Sequence, residues 1–498
     1  MTLLSRISGF LRDVVLSHFF GASGAADAFF VAFRIPNFFR RLFGEGAFAQ
    51  AFVPVLNEYQ TARERHALIG FVKVLSGDFS LILLLICSLG VVGAPVLVML
   101  FAPGFWQQDG RMELATRMLY ITFPYLGFIS LTAFAGSILN SFHRYAIPAF
   151  TPVLLNLSLI LAALVAAPLF QQPVMALAWG VLVAGLVQLL FQFPALKRVE
   201  MLRLPRIDWQ EPGVRKVGRL LIPAVLGASA GQVNALIDTI MASLLVTGSI
   251  SWLYYSDRLM ELPLGMIAIA LGTVLLPNLS RLHAEGQQQA FGETIEWGLK
   301  IGALFGVPAA LALYVLALPM IATIFLHGEM TAFDAAMASY SLKAFAVGLL
   351  GLMLVKIAAP GYFSRQDTRT PVRFTLVAVG VNLCGNIALF YWMGHVGLAL
   401  TTSAAAIVNG YLLLRGLIRL KLYRPGRVLL FWLGKICLAS GGMIWLLLVL
   451  SPSDIHWIEM ELTARIFQLS MIVVIGAAAY FVLLLVLGIR PADLRHRV

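Results

Sequence analysis

Long apolar runs, separated by short polar or Gly- and Pro-bearing breaks, recur from one end of the chain to the other. A membrane-crossing helix needs roughly 20 mostly apolar residues. The pattern predicts such helices near 1–20, 27–56, 69–102, 117–142, 148–168 and 174–196. A second group is predicted near 218–246, 251–281, 292–326, 335–362, 372–393 and 396–418, and two more near 428–450 and 464–488. The expectation is an all-α integral membrane protein of about 14 transmembrane helices, each satisfying its own backbone hydrogen bonds in lipid.

Composition supports that solvent. The 498 residues are 60% hydrophobic and 12% charged, with a mean hydropathy of +0.88, whereas soluble domains carry about 25% charged residues. Cys87, Cys384 and Cys437 lie scattered in apolar runs, which suits neither a zinc motif nor a disulfide framework; they are expected to be small packing residues. The opening "MTLLSRISGF" lacks the ordered charged, apolar and small-residue regions of a signal peptide, so no removable leader is expected.

The polar breaks are unequal. With a cytoplasmic amino terminus, every second loop is basic: Arg63 and Arg65, Arg144, the cluster from Lys197 to Arg219, Arg281, Arg365 and Arg369, Arg424 and Arg427, and the tail from Arg490 to Arg497. The opposite loops, such as "GASGAA", "FQQP" and "VTGSI", have almost no basic residues; Arg111 and Arg465 are the exceptions. That asymmetry places both termini in the cytoplasm. Topology and contact with anionic lipid account for the net charge of +12. No aromatic–basic motif suggests nucleic-acid binding.

Two stretches echo others far along the chain. "FRIPNFF…GEGAFAQAFVPVL" in the second helix resembles "MELPLGM…IALGTVLLPNL" in the eighth, and "SFHRYAIPAFTPVLLNL" resembles "YFSRQDTRTPVRFTLVAVGVNL". The offsets are 227 residues (Pro36 to Pro263) and 221 (Phe142 to Phe363). Six helices per repeat give two lobes of the same topology, 1–197 and 217–422, related by a pseudo-twofold axis along the membrane normal. Transport sites in such folds lie at the repeat interface. The last two helices, 427–490, stand outside the repeat.

Charge within apolar sequence is the strongest functional signal, because such residues usually face a wet cavity or a partner. The first helix carries Arg6, Arg12 and Asp13; the second runs from Asp27 to Glu45; the seventh has Asp238; the eighth has Asp257, Arg258 and Glu261; the tenth has Lys343 and Lys356. Asp27, Arg34 and Arg41 are spaced by seven and Glu45 follows by four, so they share one helical face, while Arg40 points about 100° away from Arg41. A self-neutralising stripe that packs helices accounts for Arg34, Arg41 and Glu45 as well as a cavity does. Pro36, with Gly44 and Gly46 beyond it, predicts a bend there. Arginine's planar fork suits phosphate and pyrophosphate oxygens and stays protonated.

"SRISGFLRD", "ADAFFVAFRIPNFFRRLFGEGAFAQAFVPV" and "YYSDRLMELPLG" together resemble the MurJ (MviN) lipid II flippases of the multidrug/oligosaccharidyl-lipid/polysaccharide exporter superfamily. The resemblance covers essentially the whole chain. It implies translocation of lipid II, the undecaprenyl-pyrophosphate-linked peptidoglycan precursor, from the cytoplasmic to the periplasmic leaflet of the bacterial inner membrane. It implies no catalysis, and a monomer working beside the cell-wall synthesis machinery. A cationic cavity between two six-helix lobes would take the head group, and the last two helices would shape a groove for the lipid tail.

Carried over residue by residue, the resemblance makes Arg6, Arg12, Arg40 and Arg258 the pyrophosphate and head-group contacts. Ser5, Asp13, Asp27, Asn37, Arg41, Glu45, Ser251, Asp257 and Glu261 become supporting or gating positions. Some relatives bind sodium, and Asp238, Asn382, Asn386 and Thr402 with the Leu398 carbonyl match that pattern; a polar helix-packing cluster explains the same residues. Family members carry further residues before the Ser-Arg that is Ser5–Arg6 here. At 1.5 Å per residue the segment 1–20 reaches only ~30 Å, so the first helix is expected to be short on its cytoplasmic side or to start upstream of Met1.

Other functions fit less well. A drug exporter for organic cations favours an acidic cavity, and a flippase for another polyprenyl-linked saccharide shares the same superfamily. A membrane enzyme acting on polyprenyl phosphates needs an acidic metal motif or a nucleophile–base pair; no DDxxD or HExxH occurs and the eight histidines are dispersed. A scaffold leaves the intramembrane charge unexplained.

Overall fold

Lipid offers no partner to a backbone N–H or C=O, so apolar chain in a membrane satisfies both groups within its own helix. The computed structural model of the chain describes residues 2–43, 47–62, 65–107 and 110–490, and the regular structure among them is helical throughout. Two compact units divide at the start of one helix, Met1–Ser251 and Trp252–Val498.

The first unit holds α1 (Thr2–Phe20), α2 (Gly24–Phe43), α3 (Ala47–Ala62), α4 (Arg65–Val92) and α5 (Ala94–Phe101). After a short 3-10 turn come α6 (Arg111–Thr122), α7 (Tyr125–Ser141), α8 (Ala146–Leu161), α9 (Met175–Arg198), α10 (Pro212–Ser243) and the first turn of α11 (Ser249–Ala284). The second unit holds the rest of α11, then α12 (Gln288–Val315), α13 (Ala317–Phe325), α14 (Ala332–Phe363) and α15 (Arg369–Arg419). It ends with α16 (Arg427–Leu450), a short α17 (Asp454–Glu459) and α18 (Leu462–Val486).

Helix occupies each of the fourteen predicted stretches, several of them as two segments. The breaks have local causes. Gly93 separates α4 from α5 with Pro95 in the next turn, and Pro124 begins α7. The two helices predicted at 372–393 and 396–418 run together as α15, kinked at Gly394, whose φ of 51° and ψ of −131° lie outside helical values and suit a residue without a Cβ. The predicted bend after Pro36 falls at residues 44–46, outside the described residues. A bend of 42° occurs in α11, between Ser249–Ile267 and Ala270–Ala284. Nine helices among the described residues are long and apolar enough to cross a membrane, ten if that bent pair is one span. α1 and α2 are outside that set, because their intramembrane charges exceed what an apolar span tolerates.

Left-handed residues recur in pairs: Gly21 and Gly248, Gly110 and Gly328, His143 and Gln366, Glu200 and Lys421. Their separations are 227, 218, 223 and 221 residues, close to the offsets of the sequence echoes. In the last two pairs the residue follows a helix end and the next N–H closes back five residues: Arg144 to Leu139, Asp367 to Tyr362, Met201 to Leu196 and Leu422 to Leu417. That is the usual capping of a helix carboxyl end. Beyond Gln366, the Thr370 hydroxyl and then its N–H, the latter at 3.0 Å, hold the Asp367 carboxyl below its usual range.

α10 packs on α2 and α3 and so belongs to the first compact unit. An aromatic cluster fills that unit's core at one end, with Phe48 stacked on Phe79 at 4.5 Å and Tyr59 on Phe71 at 4.4 Å. In the second unit α16 packs on both α12 and α18, and the α18 Tyr480 hydroxyl donates to the Leu304 carbonyl of α12 at 2.7 Å. Of the cysteines only Cys87 behaves as a packing residue, facing Gly127 on α7; Cys384 and Cys437 are exposed.

Candidate functional site

The charges of the first unit are mostly buried and bonded. On α1, Arg12 donates from Nε and Nη2 to Asp13 Oδ1 at 3.0 and 2.7 Å, and from Nη1 to Asn156 Oδ1 at 3.0 Å. Asn156, on α8, donates in turn to the Ser8 hydroxyl at 3.0 Å and the Ser5 carbonyl at 3.3 Å. A Cβ on Gly9 would touch the Asn156 amide at 3.4 Å, so the small residue lets the two helices close over the pair. Arg12 and Asp13 are buried, whereas Ser5 and Arg6 are half-buried. The Arg12 guanidinium is thus a clamp between α1 and α8.

Asp27, in the first turn of α2, is 1% exposed. Its Oδ1 accepts from the Ser251 N–H at 2.9 Å and the Ser251 hydroxyl at 2.6 Å, and its Oδ2 from the Gly248 N–H at 2.8 Å. The carboxylate therefore sits at the amino end of α11, where free N–H groups and the helix dipole favour an anion. Arg111, at the start of α6, adds an ion pair at 3.5 Å. Its guanidinium lies over the Phe105 ring at 4.9 Å, and a Cβ on Gly24 would stand 3.1 Å from its Cδ. Asp27 and Ser251, expected as gating positions, are brought together. Arg111 was missed, although it stood out as an exception to the loop-charge asymmetry.

The other exception, Arg465 in the second unit, has a similar explanation. It is buried and donates to the carbonyls of Met460, Ala322 and Leu326 at 2.9, 2.6 and 3.0 Å, closing the carboxyl end of α13 where a cation is favoured.

Further along α2, Arg34 donates to the buried Thr239 hydroxyl on α10 at 2.7 Å, and Arg41 reaches Gln232 on α10 at 3.4 Å. Both pairs are seven residues apart on each helix, in opposite directions, so an antiparallel α2–α10 contact keeps them in register. Arg34 and Arg41 thus each meet a neutral oxygen on α10. Arg40 is half-buried off that face, and the Asn37 amide donates to the Phe33 carbonyl at 2.8 Å. Asp238, beside Thr239, is half-buried. Glu45 lies outside the described residues.

In the second unit, Arg258 donates from Nη1 to Glu261 Oε2 at 2.8 Å, one turn along α11. The guanidinium lies over the Tyr254 ring at 4.9 Å. Asp257 is half-buried and Glu261 exposed. An aromatic face on one side and a carboxylate on another leave a planar fork oriented, as binding of a phosphoryl oxygen requires.

Four of the residues matched to a sodium pattern also meet. Asn382 donates to the Thr402 hydroxyl at 3.2 Å, Asn386 to Asn382 Oδ1 at 3.1 Å, and Thr402 to the Leu398 carbonyl at 2.9 Å. Thr401 joins them through Asn386 and Leu398. Both asparagines are fully buried. Neutral oxygens of this kind fit a singly charged hard cation better than a divalent one, which calls for carboxylates. Among the described residues no group of three His, Cys, Asp or Glu converges as a metal site.

Residues 16–486 match the family model described as lipid II flippase MurJ. A probable lipid II flippase MurJ of Vibrio cholerae is 44% identical over 99% of this chain and 96% of its own length. One from Haemophilus influenzae is 43% identical over 99% of both. The lipid II flippase MurJ of Burkholderia cenocepacia is 38% identical over 100% of this chain and 97% of its own. Among solved structures, a lipid II flippase MurJ in an inward closed conformation is 26% identical, with a TM-score of 0.81 over 97% of this chain and 96% of its own. An inward-facing multidrug resistance MATE family transporter of the MOP superfamily shares the fold alone, at 15% identity and a TM-score of 0.67 over 84% of this chain and 95% of its own.

Proposed function

This chain belongs to the lipid II flippase MurJ family, and we propose from that premise that it carries lipid II from the cytoplasmic to the periplasmic leaflet by alternating access. The observation carrying the proposal is near-full-length identity of 44% and 43% to two probable lipid II flippases. The reading is of a transporter in the bacterial inner membrane, with fourteen crossings, both termini cytoplasmic, and lobes 1–197 and 217–422 as the moving bodies. The segment 427–490 supplies a groove for the lipid tail. The protein acts as a monomer beside the cell-wall synthesis machinery.

Arg6, Arg12, Arg40 and Arg258 are the proposed contacts to pyrophosphate and head group. The half-exposed Arg258 can exchange its Glu261 oxygen for a phosphate oxygen without leaving the Tyr254 ring. Arg40 presents a second fork from α2, off the face that Arg34 and Arg41 use against α10. Arg12 would make such a contact from a guanidinium already held by Asn156 and Asp13. Asp27 with Ser251 is read as the gating latch, with Asn37, Asp257, Arg41 and Glu45 in support. A sodium ion would be held by Asn382, Asn386, Thr402 and the Leu398 carbonyl, with Asp238 as its charged ligand, and would supply a positive charge whose binding varies with conformation.

The test is transport itself. Lipid II flipping in vesicles, with an undecaprenyl-linked saccharide precursor as competitor, is expected to proceed and to resist that competitor. Flipping of the competitor in preference to lipid II refutes the cargo. In cells depleted of their native flippase, Arg40→Ala and Arg258→Ala are expected to abolish peptidoglycan export while the protein still inserts. Normal export by either variant removes that arginine from the site.

A further inference from the structure

The charged helices do not use a cavity at the opposite, loop-rich end of the second unit. It measures about 620 Å³ and lies between the first turns of α12 and the loop after α15. Gln288, Glu293 and Glu296 line one wall, and Lys421, Tyr423 and Arg424 the other. The loop is built rather than slack. Lys421 holds a left-handed φ of 58°, the Gln288 amide donates to its carbonyl at 3.0 Å, and a Cβ on Gly292 would stand 3.1 Å from the Leu422 carbonyl.

Two features point to a ligand. Tyr423 is 2% exposed, yet its hydroxyl has no hydrogen-bond partner among the described residues, a state that costs free energy unless something fills it. Burial and the neighbouring Glu296 push that phenol up from its usual range. The walls, moreover, carry opposite charges. Glu296 is committed to Lys300 at 2.8 Å, whereas Glu293 is exposed and, among the described residues, takes its hydrogen bond from the Gln289 amide at 3.0 Å. Lys421 and Arg424 are exposed across from it.

A ligand matching both walls has an anionic and a cationic end a few bonds apart. The surroundings say where it comes from. α16 begins directly after the loop, and its Val428, Leu430 and Phe431 are exposed, an apolar face suited to acyl chains. Trp297, one turn beyond Glu293, packs half-buried at the same level, as aromatic residues do at a membrane interface.

We propose that this cavity is a headgroup site for a zwitterionic aminophospholipid, with the phosphate on Lys421 and Arg424, the ammonium on Glu293 and the Tyr423 hydroxyl, and the acyl chains along α16. The assignment is independent of the cargo, so its failure and the failure of the flippase reading are separable. An ammonium that donates hydrogen bonds fills the site; a trimethylammonium cannot donate, and a glycerol headgroup brings no cation to Glu293.

The purified full chain, stripped of lipid and titrated by native mass spectrometry, supplies the test. Phosphatidylethanolamine is expected to bind about tenfold more tightly than phosphatidylcholine or phosphatidylglycerol of matched chains, the equivalent of one good charged hydrogen bond. Glu293→Gln should bring phosphatidylethanolamine to the level of the other two, and Arg424→Ala should weaken all three. Both are surface changes that leave the helix packing in place, and circular dichroism checks this. Displacement of the lipid by free phosphoethanolamine identifies the headgroup alone as the determinant; retention against it identifies the membrane lipid. Equal affinity for the three lipids overturns the proposal, as does a Glu293→Gln variant that keeps the preference.

Discussion

Asp27 in the first unit and Glu261 in the second are both acids on charge-bearing helices, and their surroundings differ in kind. Asp27 is enclosed by two backbone N–H groups, a serine hydroxyl and Arg111. Glu261 is exposed and takes its bond from Arg258, one turn away. A buried, fully bonded carboxylate fixes helices, since removing one partner strands the other away from water. A half-exposed pair stabilises little, typically 0–1 kcal/mol, so it is free to change partners. The first arrangement suits a latch and the second suits a ligand contact. Intramembrane charge is therefore not one class of residue in this chain.

The comparison is tested most severely at Asp27. Asp27→Ala strands Arg111 and opens the first turn of α11, and we expect a loss of about 3–5 kcal/mol. Thermal unfolding in detergent, followed by tryptophan fluorescence, reads it. Unfolding at the native temperature would show that the bonds around Asp27 are not holding the helices together. Arg111→Met comes next. Its ion pair is longer, and Asp27 keeps its three other donors, so about 2 kcal/mol is expected. Arg111→Lys should restore part of this, because the charge returns without the stack on Phe105.

Much of this was legible beforehand, for reasons that can be named. Helix positions were readable because membrane spans announce themselves by continuous apolar length. Asp27 and Ser251 are named together only through the family resemblance; the sequence itself offers no sign that residues 224 apart share a hydrogen bond. Arg111 and Arg465 were visible as anomalies and could not be placed, since loop charge reports topology and not burial. Asn156 and Thr239 carried no signal at all, being ordinary polar residues in apolar helices. The partner of an intramembrane charge is set by which helices pack together, and that is tertiary information.

A smaller effect is expected where α2 meets α10. Thr239→Val keeps the shape of the side chain and removes the oxygen that Arg34 donates to. The loss of a single hydrogen bond to a charged group is about 1.5 kcal/mol, less here because Arg34 is only half-buried and recovers some solvation. Arg34→Ala should cost a similar amount and leave export measurable. Complete loss of export in Arg34→Ala cells would move Arg34 from helix packing to cargo contact.

The smallest effect on stability belongs to Arg258, and it carries the sharpest contrast. Arg258→Gln removes the ion pair to Glu261 and the stack on Tyr254, both half-exposed, so unfolding should shift by less than about 1 kcal/mol. Export should nevertheless disappear, because glutamine has neither the charge nor the fork for a pyrophosphate oxygen. Arg258→Lys separates those two properties. If charge alone matters, lysine restores export; if paired hydrogen bonds to one phosphoryl group matter, lysine fails while folding normally. An Arg258→Gln protein as destabilised as Asp27→Ala would instead make α11's charges structural, and the distinction between latch and ligand contact would then fall.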